Sequence, residues 1–250
     1  SQRPLVLLYI LDDDASGEWK HGGASRWWLH HSLAALAKDA TKRGALLTLR
    51  RGKAERALMQ VVRETGAQTV FWNRVYEPYA VARDKALKAT LAKAGVAVTS
   101  CNGAVLFEPW EVQTKGGEPF KVFTPFWRAC LQKEWRAPSP SPKRLNGLGA
   151  DLASDQLEDW KLLPTTPNWA RGFAGWRPGE AGALEALEAF IKERLLTCPE
   201  GRDQLAVDAT SRLSPYLHFG EISPVHVRAA IEVAAAQRPG LRHGADKFLA

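Results

Sequence analysis

Five consecutive residues, Thr210, Ser211, Arg212, Leu213 and Ser214, put three hydroxyls and a guanidinium just ahead of the aromatic run PYLHFG. Hydroxyls and exposed backbone amides donate to anionic oxygens, and the start of a helix adds unpaired N–H groups and partial positive charge. The chemistry these residue types suit is therefore the grip of a pyrophosphate. Arg212 can add charge to such a site or make an internal ion pair. The alternative is plainer. Ser214 and Ser223 each precede a proline, the pattern of an N-cap followed by proline at the first helical position. On residue types alone, capping is the stronger reading.

Other chemistry-bearing residues form no constellation. His30 and His31 have no carboxylate at metal-ligand spacing and read as packing or surface histidines, so no metal is expected. Cys101, Cys130 and Cys198 are far apart and form no CxxC pair, which points to neither a disulfide framework nor zinc and suggests a reducing cytosol. No GxGxxG follows a strand and no GxxxxGK[ST] occurs, so the common dinucleotide and P-loop fingerprints are missing. Lys42, Arg43, Arg50, Arg51, Lys53 and Arg56 spread over two elements and read as a solvated face.

The elements that must position these residues follow from the hydrophobic pattern. Residues 5–11 (LVLLYIL) form a short apolar run closed by three aspartates, which predicts a strand buried on both faces rather than a signal peptide. Ser25 is placed to cap a helix that Gly44 stops, with Trp28 as its best core residue and Trp27 beside it packing the helix onto the sheet. Residues 45–49, 68–72 and 96–100 predict further strands. Helices over 54–64 and 78–94 lie between them, ending at Gly66 and Gly95. This alternation implies βαβ units and a parallel, Rossmann-like α/β sheet. Residues 103–178 are rich in proline and read as a long connection over the surface. From Glu180 the pattern turns helical, with Leu184, Leu187, Phe190, Ile191 and Leu195 on one face. The expected division is an α/β domain over 1–137, a linker over 138–178, and the start of an all-helical domain over 179–250.

Composition is compatible with this. The chain has 250 residues, is 45% hydrophobic and 24% charged, and carries a net charge of +7, which permits a polyanionic partner. Its ten tryptophans suit cores or stacking on flat groups. No apolar run is long enough to span a membrane.

The segment TSRLSPYLHFGEIS resembles the flavin-binding signature of the DNA photolyase/cryptochrome family, class I-like cyclobutane pyrimidine dimer photolyases in particular. GGASRWWLHHSLAAL at 22–36 is similar to the first helix of that family's α/β domain, KVFTPFWRAC at 121–130 to its end-of-domain motif, and GRD at 201–203 precedes TSRLS as it does there. The resemblance implies FAD, its diphosphate held by Thr210, Ser211, Arg212, Leu213 and Ser214, the last three partly through backbone groups. A tyrosine that contacts FAD in many members is Cys198 here, a smaller and weaker partner; a buried structural thiol is the alternative. Arg202 matches an arginine that meets DNA phosphate, with an ion pair to Asp203 as the alternative. Glu118 matches a glutamate that binds the pterin of a methenyltetrahydrofolate antenna, although its neighbour, often asparagine, is Gly117; the alternative is a solvated loop residue. The implied activity is light-dependent repair of cyclobutane pyrimidine dimers in damaged double-stranded DNA, by electron transfer from reduced FAD in a cytoplasmic monomer. A blue-light photoreceptor without repair activity and a fragment that folds without flavin are the rivals. The chain reads as incomplete at both ends, with the catalytic residues expected beyond Ala250 and this chain alone inactive.

Overall fold

The computed structural model describes residues 3–149 and 152–250, so residues 150 and 151 of the expected linker lie outside the described part. The chain falls into two compact units, one of residues Ser1–Cys101 with Ser141–Gly179, the other of Asn102–Pro140 with Glu180–Ala250.

The first unit is parallel α/β. Strand β1 (Leu7–Leu11) leads through helix α1 (Gly23–Arg43) to β2 (Leu47–Arg51), which pairs parallel with β1 from Leu7 opposite Leu47 to Leu11 opposite Arg51. Helix α2 (Ala54–Thr65) follows. Strand β3 (Thr69–Asn73), helix α3 (Pro78–Lys93) and strand β4 (Ala97–Cys101) repeat the unit, Thr69 opposite Ala97. Each helix stops where the pattern predicts. Gly44 and Gly66 take left-handed φ of +96° and +65°, which lets the chain reverse into the next strand.

Three expectations need correction here. Among the described residues the sheet is two separate parallel pairs rather than one continuous ladder. Only Leu11 of β1 is buried, the rest of the strand being half-buried, because β1 has a hydrogen-bonded strand on one side alone. Helix α1 begins two residues before Ser25, with Gly22 at the cap position and no side-chain cap. The hydrophobic core below β3 and β4 is built from Val62, Leu91 and Val96, with Val70, Trp72 and Val98 against them. The indole N–H of Trp72 donates to the buried carboxylate of Asp84 at 2.9 Å, which gives that charge a partner inside the core.

The proline-rich connection does more than run over the surface. Ser154 Oγ accepts from the N–H of Leu49 and the N–H of Asp155 donates to the C=O of Leu49, both at 2.9 Å, so this segment satisfies the outer edge of β2. It also buries Trp160 and Leu162. Trp27 meets Phe173 at 4.9 Å between ring centroids and Trp28 meets Trp176 at 5.4 Å. Both indoles of α1 therefore pack against the connection, not only against the sheet, and both are core. His31 meets Trp27 edge-on at 4.4 Å and His30 meets His31 edge-on at 5.2 Å, as packing histidines.

The second unit is helical. Helix α4 (Phe123–Leu131) belongs to the stretch before the connection. Helix α5 (Glu180–Ala189) runs into one wider, π-type turn at Phe190–Arg194, followed by α6 (Cys198–Gly201), α7 (Ser214–His218), α8 (Pro224–Gln237) and α9 (Arg242–Leu249). The buried face of α5 carries Ala183, Leu187 and Phe190, while Leu184, expected on it, is 39% exposed. Trp135 ties the two parts of this unit together. Its ring meets Phe107 at 4.7 Å and Trp127 at 6.0 Å, and the guanidinium of Arg228 on α8 lies 3.6 Å from its centroid. That stacking explains why residues 102–140 group with the helices rather than with the strands before them.

Candidate functional site

The turn 210–214 hangs between two anchors. Ala209 and Leu213 are 0% and 1% exposed, so the chain is pinned on either side while Thr210 and Ser214 face solvent. Ala209 sits against Gly201 at the end of α6, so close that a Cβ on Gly201 would fall 2.5 Å from the Cβ of Ala209. Between the anchors Arg212 takes φ +56°, a left-handed conformation that costs a non-glycine residue about 1–2 kcal/mol. Leu213 follows in the right-handed region at φ −85°, ψ −10°. A left-handed residue beside a right-handed one turns successive amide N–H groups toward one side, a concavity suited to anions.

The side chains complete the description. Ser211 Oγ accepts from the N–H of Leu213 at 3.4 Å. The hydroxyls of Thr210 and Ser214 have no hydrogen-bond partner among the described residues. Ser214 opens α7, but the cap position is Leu213 and no side chain caps the helix, which corrects the capping role for Ser214. Ser223 does cap, its Oγ accepting from the N–H of His226 at 3.1 Å. The two Ser-Pro pairs thus look alike in sequence and differ in function: one hydroxyl is spent on a helix, the other is free. Of the two roles considered for Arg212, the structure shows the internal ion pair, Nε to Asp208 Oδ1 at 3.1 Å.

The remaining predicted residues are dispersed. Cys198 is 3% exposed at the start of α6, and burial pushes its thiol above the usual range. Arg202 is exposed and donates from Nη1 to the C=O of Lys247 at 3.1 Å; no ion pair to Asp203 forms among the described residues. Glu118 sits on an exposed tight turn closed by the Thr114 N–H to Glu118 C=O bond of 2.8 Å, with Gly117 at φ +79°. Among the described residues no three His, Cys, Asp or Glu side chains gather to hold a metal, and no helix is long and apolar enough to cross a membrane. A cavity of about 300 Å³ opens beside the amino ends of β1 and β2, lined by Leu5, Thr41, Thr48, Leu148 and Leu152 among others, and takes in none of the predicted site residues.

Sequence reasoning missed the aspartates after β1. Asp12 caps α2, accepting from the N–H of Ala54 at 2.8 Å. Asp13 is held by Arg26 at 2.6 Å and Arg51 at 3.0 Å; burial pushes its carboxyl up, but the two guanidiniums outweigh this and keep it below the usual range. The signal available was the aspartate run at the end of β1 together with Lys53 at the cap position of α2, a residue type that cannot cap, although the two lie 42 residues apart.

A parallel α/β unit and a helical unit that presents a hydroxyl-rich, concave turn define the class of protein: a two-unit chain of α/β and all-helical parts. The family model for DNA photolyase matches residues 1–143, and the chain belongs to that family. It is 49% identical over 226 residues to a deoxyribodipyrimidine photo-lyase of Agrobacterium fabrum, covering 90% of this chain and 47% of that protein. It is 36% identical over 226 residues to cryptochrome-1 of Arabidopsis thaliana, covering 88% and 33%. The chain thus spans about half the length, or less, of these curated relatives. Among solved structures, a bacterial class III photolyase from Agrobacterium tumefaciens superposes with a TM-score of 0.90 at 44% identity, over 98% of this chain and 52% of that one. A cryptochrome of Synechocystis shares the fold, with a TM-score of 0.82 at 20% identity. The structural relative is described as class III, whereas the sequence motifs suggested a class I-like member.

Proposed function

We propose that this chain is part of a light-dependent enzyme that repairs cyclobutane pyrimidine dimers in DNA, and that the turn 210–214 holds the diphosphate of FAD. The observation that carries the reading is the donor set at that turn: two unbonded hydroxyls, a third nearby, and backbone amides turned to one side by the left-handed Arg212. Diphosphate oxygens accept from several donors at once, which is what the turn offers. When bound, the flavin supplies light-driven electron donation, the hard chemistry of the reaction. The chain's own residues bind and orient. Thr210, Ser211 and Ser214 donate hydroxyl hydrogens, and the amides of Arg212 and Ser214 donate from the concave side. Cys198, buried beneath the neighbouring helix, contributes packing in place of a hydrogen bond.

Arg202 is the residue proposed to meet a DNA phosphate, being exposed and keeping donors that its bond to the C=O of Lys247 does not use, and the net charge of +7 favours recruitment of DNA without reading its sequence. Glu118 is the residue proposed to meet a folate-type antenna, on its exposed turn. Similarity to plant cryptochromes supports a second reading, a blue-light photoreceptor that repairs nothing. Two measurements test these readings. The visible spectrum of the purified protein, alone and after addition of FAD, tests flavin binding; a colourless protein that takes up no FAD overturns both. Blue-light repair of an oligonucleotide carrying a thymine dimer, by the longest natural form of the protein, separates them: repair supports the first reading and flavin binding without repair supports the second.

A further inference from the structure

The turn that faces solvent is held from behind by one carboxylate. Asp208 Oδ1 forms an ion pair with Nε of Arg212 at 3.1 Å, and both of its oxygens accept from Nη1 of Arg194, at 3.4 and 3.5 Å. Arg194 closes the π-type turn after α5 and is mostly buried, 16% exposed, with its Nε shielded from solvent and lacking a partner. Asp208 therefore bridges a mostly buried guanidinium on the helical scaffold to an exposed one on the turn. It does so across the buried Ala209, while Arg212 keeps its left-handed backbone.

We infer that Asp208 is the positioning residue of the diphosphate turn: by fixing the Arg212 side chain against Arg194, it holds residue 212 left-handed and so keeps the amides of Arg212 and Ser214 aimed at the anion. This rests on the reading of 210–214 as the diphosphate site. It assigns the guanidinium of Arg212 to the exposed ion pair with Asp208, so that residue 212 meets the anion through its backbone. A left-handed non-glycine residue needs such a restraint, because otherwise the chain relaxes to right-handed or extended φ and the concavity opens. Glycine at 212 needs no restraint, since it takes positive φ without steric cost. Asp208, already shared by two guanidiniums at a half-exposed site, adds little repulsion toward an incoming anion.

The experiment is a titration of the ¹⁵N-labelled chain with inorganic pyrophosphate, following the amide resonances of residues 211–214, in the native protein and in D208A, D208N, R212A and R212G. The native amides shift on titration. D208A and R212A weaken pyrophosphate roughly fivefold to tenfold, the population lost when the left-handed conformer is no longer favoured. D208N, which loses the charge that pairs with Arg212, weakens binding as D208A does, whereas R212G stays within about twofold of the native protein although it lacks the guanidinium altogether. Equal loss in R212A and R212G makes the guanidinium itself the anion's ligand and overturns the inference. Unchanged or tighter binding in D208A overturns it too, because Asp208 is then neutral or a competitor for the arginines. In both cases the diphosphate reading survives. A native protein whose amides do not respond to pyrophosphate overturns the diphosphate reading and the role of Asp208 with it. Thermal unfolding of each variant, compared with the native chain, separates loss of the turn from loss of the fold.

Discussion

Gly201→Ala is the sharpest test of how the fold sets the turn. A methyl group at 201 would fall 2.5 Å from the Cβ of Ala209 and 3.4 Å from Cγ1 of Val207. The first contact is closer than carbon atoms approach, and Ala209 is fully buried, so either α6 or residues 207–209 must move by about 1 Å to reach ordinary contact. Overpacking of this kind costs about 1–3 kcal/mol, against which alanine regains about 0.5–1 kcal/mol of helix propensity, less in a helix of only four residues. The net expectation is a loss of about 1–2 kcal/mol, or roughly 3–6 °C in melting temperature for a chain of this size. Urea unfolding followed by tryptophan fluorescence measures it. The control is Ala209→Gly, which removes the atom that clashes. In the double variant the cost of the alanine at 201 shrinks, giving a coupling energy of about 1 kcal/mol or more for residues in direct contact. A neutral or stabilised G201A, or a double variant whose losses simply add, would show that α6 and the approach to Thr210 do not touch as described.

The two Ser-Pro pairs give a matched comparison: Ser223→Ala removes a real cap and costs about 1 kcal/mol in urea unfolding, while Ser214→Ala leaves stability within about 0.5 kcal/mol. The burial of His30 and His31 lowers both of their pKa values, so the folded chain holds them neutral where the unfolded chain takes up protons. Stability is accordingly complete above the unfolded pKa of about 6.5 and falls as pH drops below it; unfolding curves at a series of pH values check the slope, which replacement of both histidines by glutamine flattens. Trp135→Ala strips the ring on which Arg228, Phe107 and Trp127 converge and costs about 2–3 kcal/mol, whereas Arg228→Lys, which loses only the flat stacking contact, costs about 0.5–1 kcal/mol.

Much of the α/β unit was legible because its signals are local. Apolar runs of five to seven residues, each closed by polar or glycine-bearing turns, located all four strands within two residues, and Gly44 and Gly66 marked the helix ends by needing positive φ. What escaped was non-local. The proline-rich connection looked like surface because prolines and small polar residues dominate it. Yet its tryptophans and Phe173 close over α1, and Ser154 with Asp155 completes the edge of β2, a pairing across about a hundred residues that no window of sequence reveals. The same holds for Trp135, whose partner Arg228 lies far along the chain.

At the site, residue types announced the hydroxyls but not their availability. Ser214 and Ser223 precede prolines identically, and only the backbone separates them. Residue 223 is extended at ψ 148° and can fold its hydroxyl back onto the helix, whereas at the start of α7 the cap position has slipped to Leu213, whose ψ of −10° is already helical. That slip follows from the left-handed Arg212 immediately before it, which reverses the chain one residue early. The free hydroxyl at 214 and the concave amides therefore have one origin, the positive φ of a residue that would not choose it unaided. An arginine, unlike a glycine, cannot signal that conformation by its identity, so the feature that shapes the turn was written at Asp208, four residues upstream, where composition alone gives no reason to look.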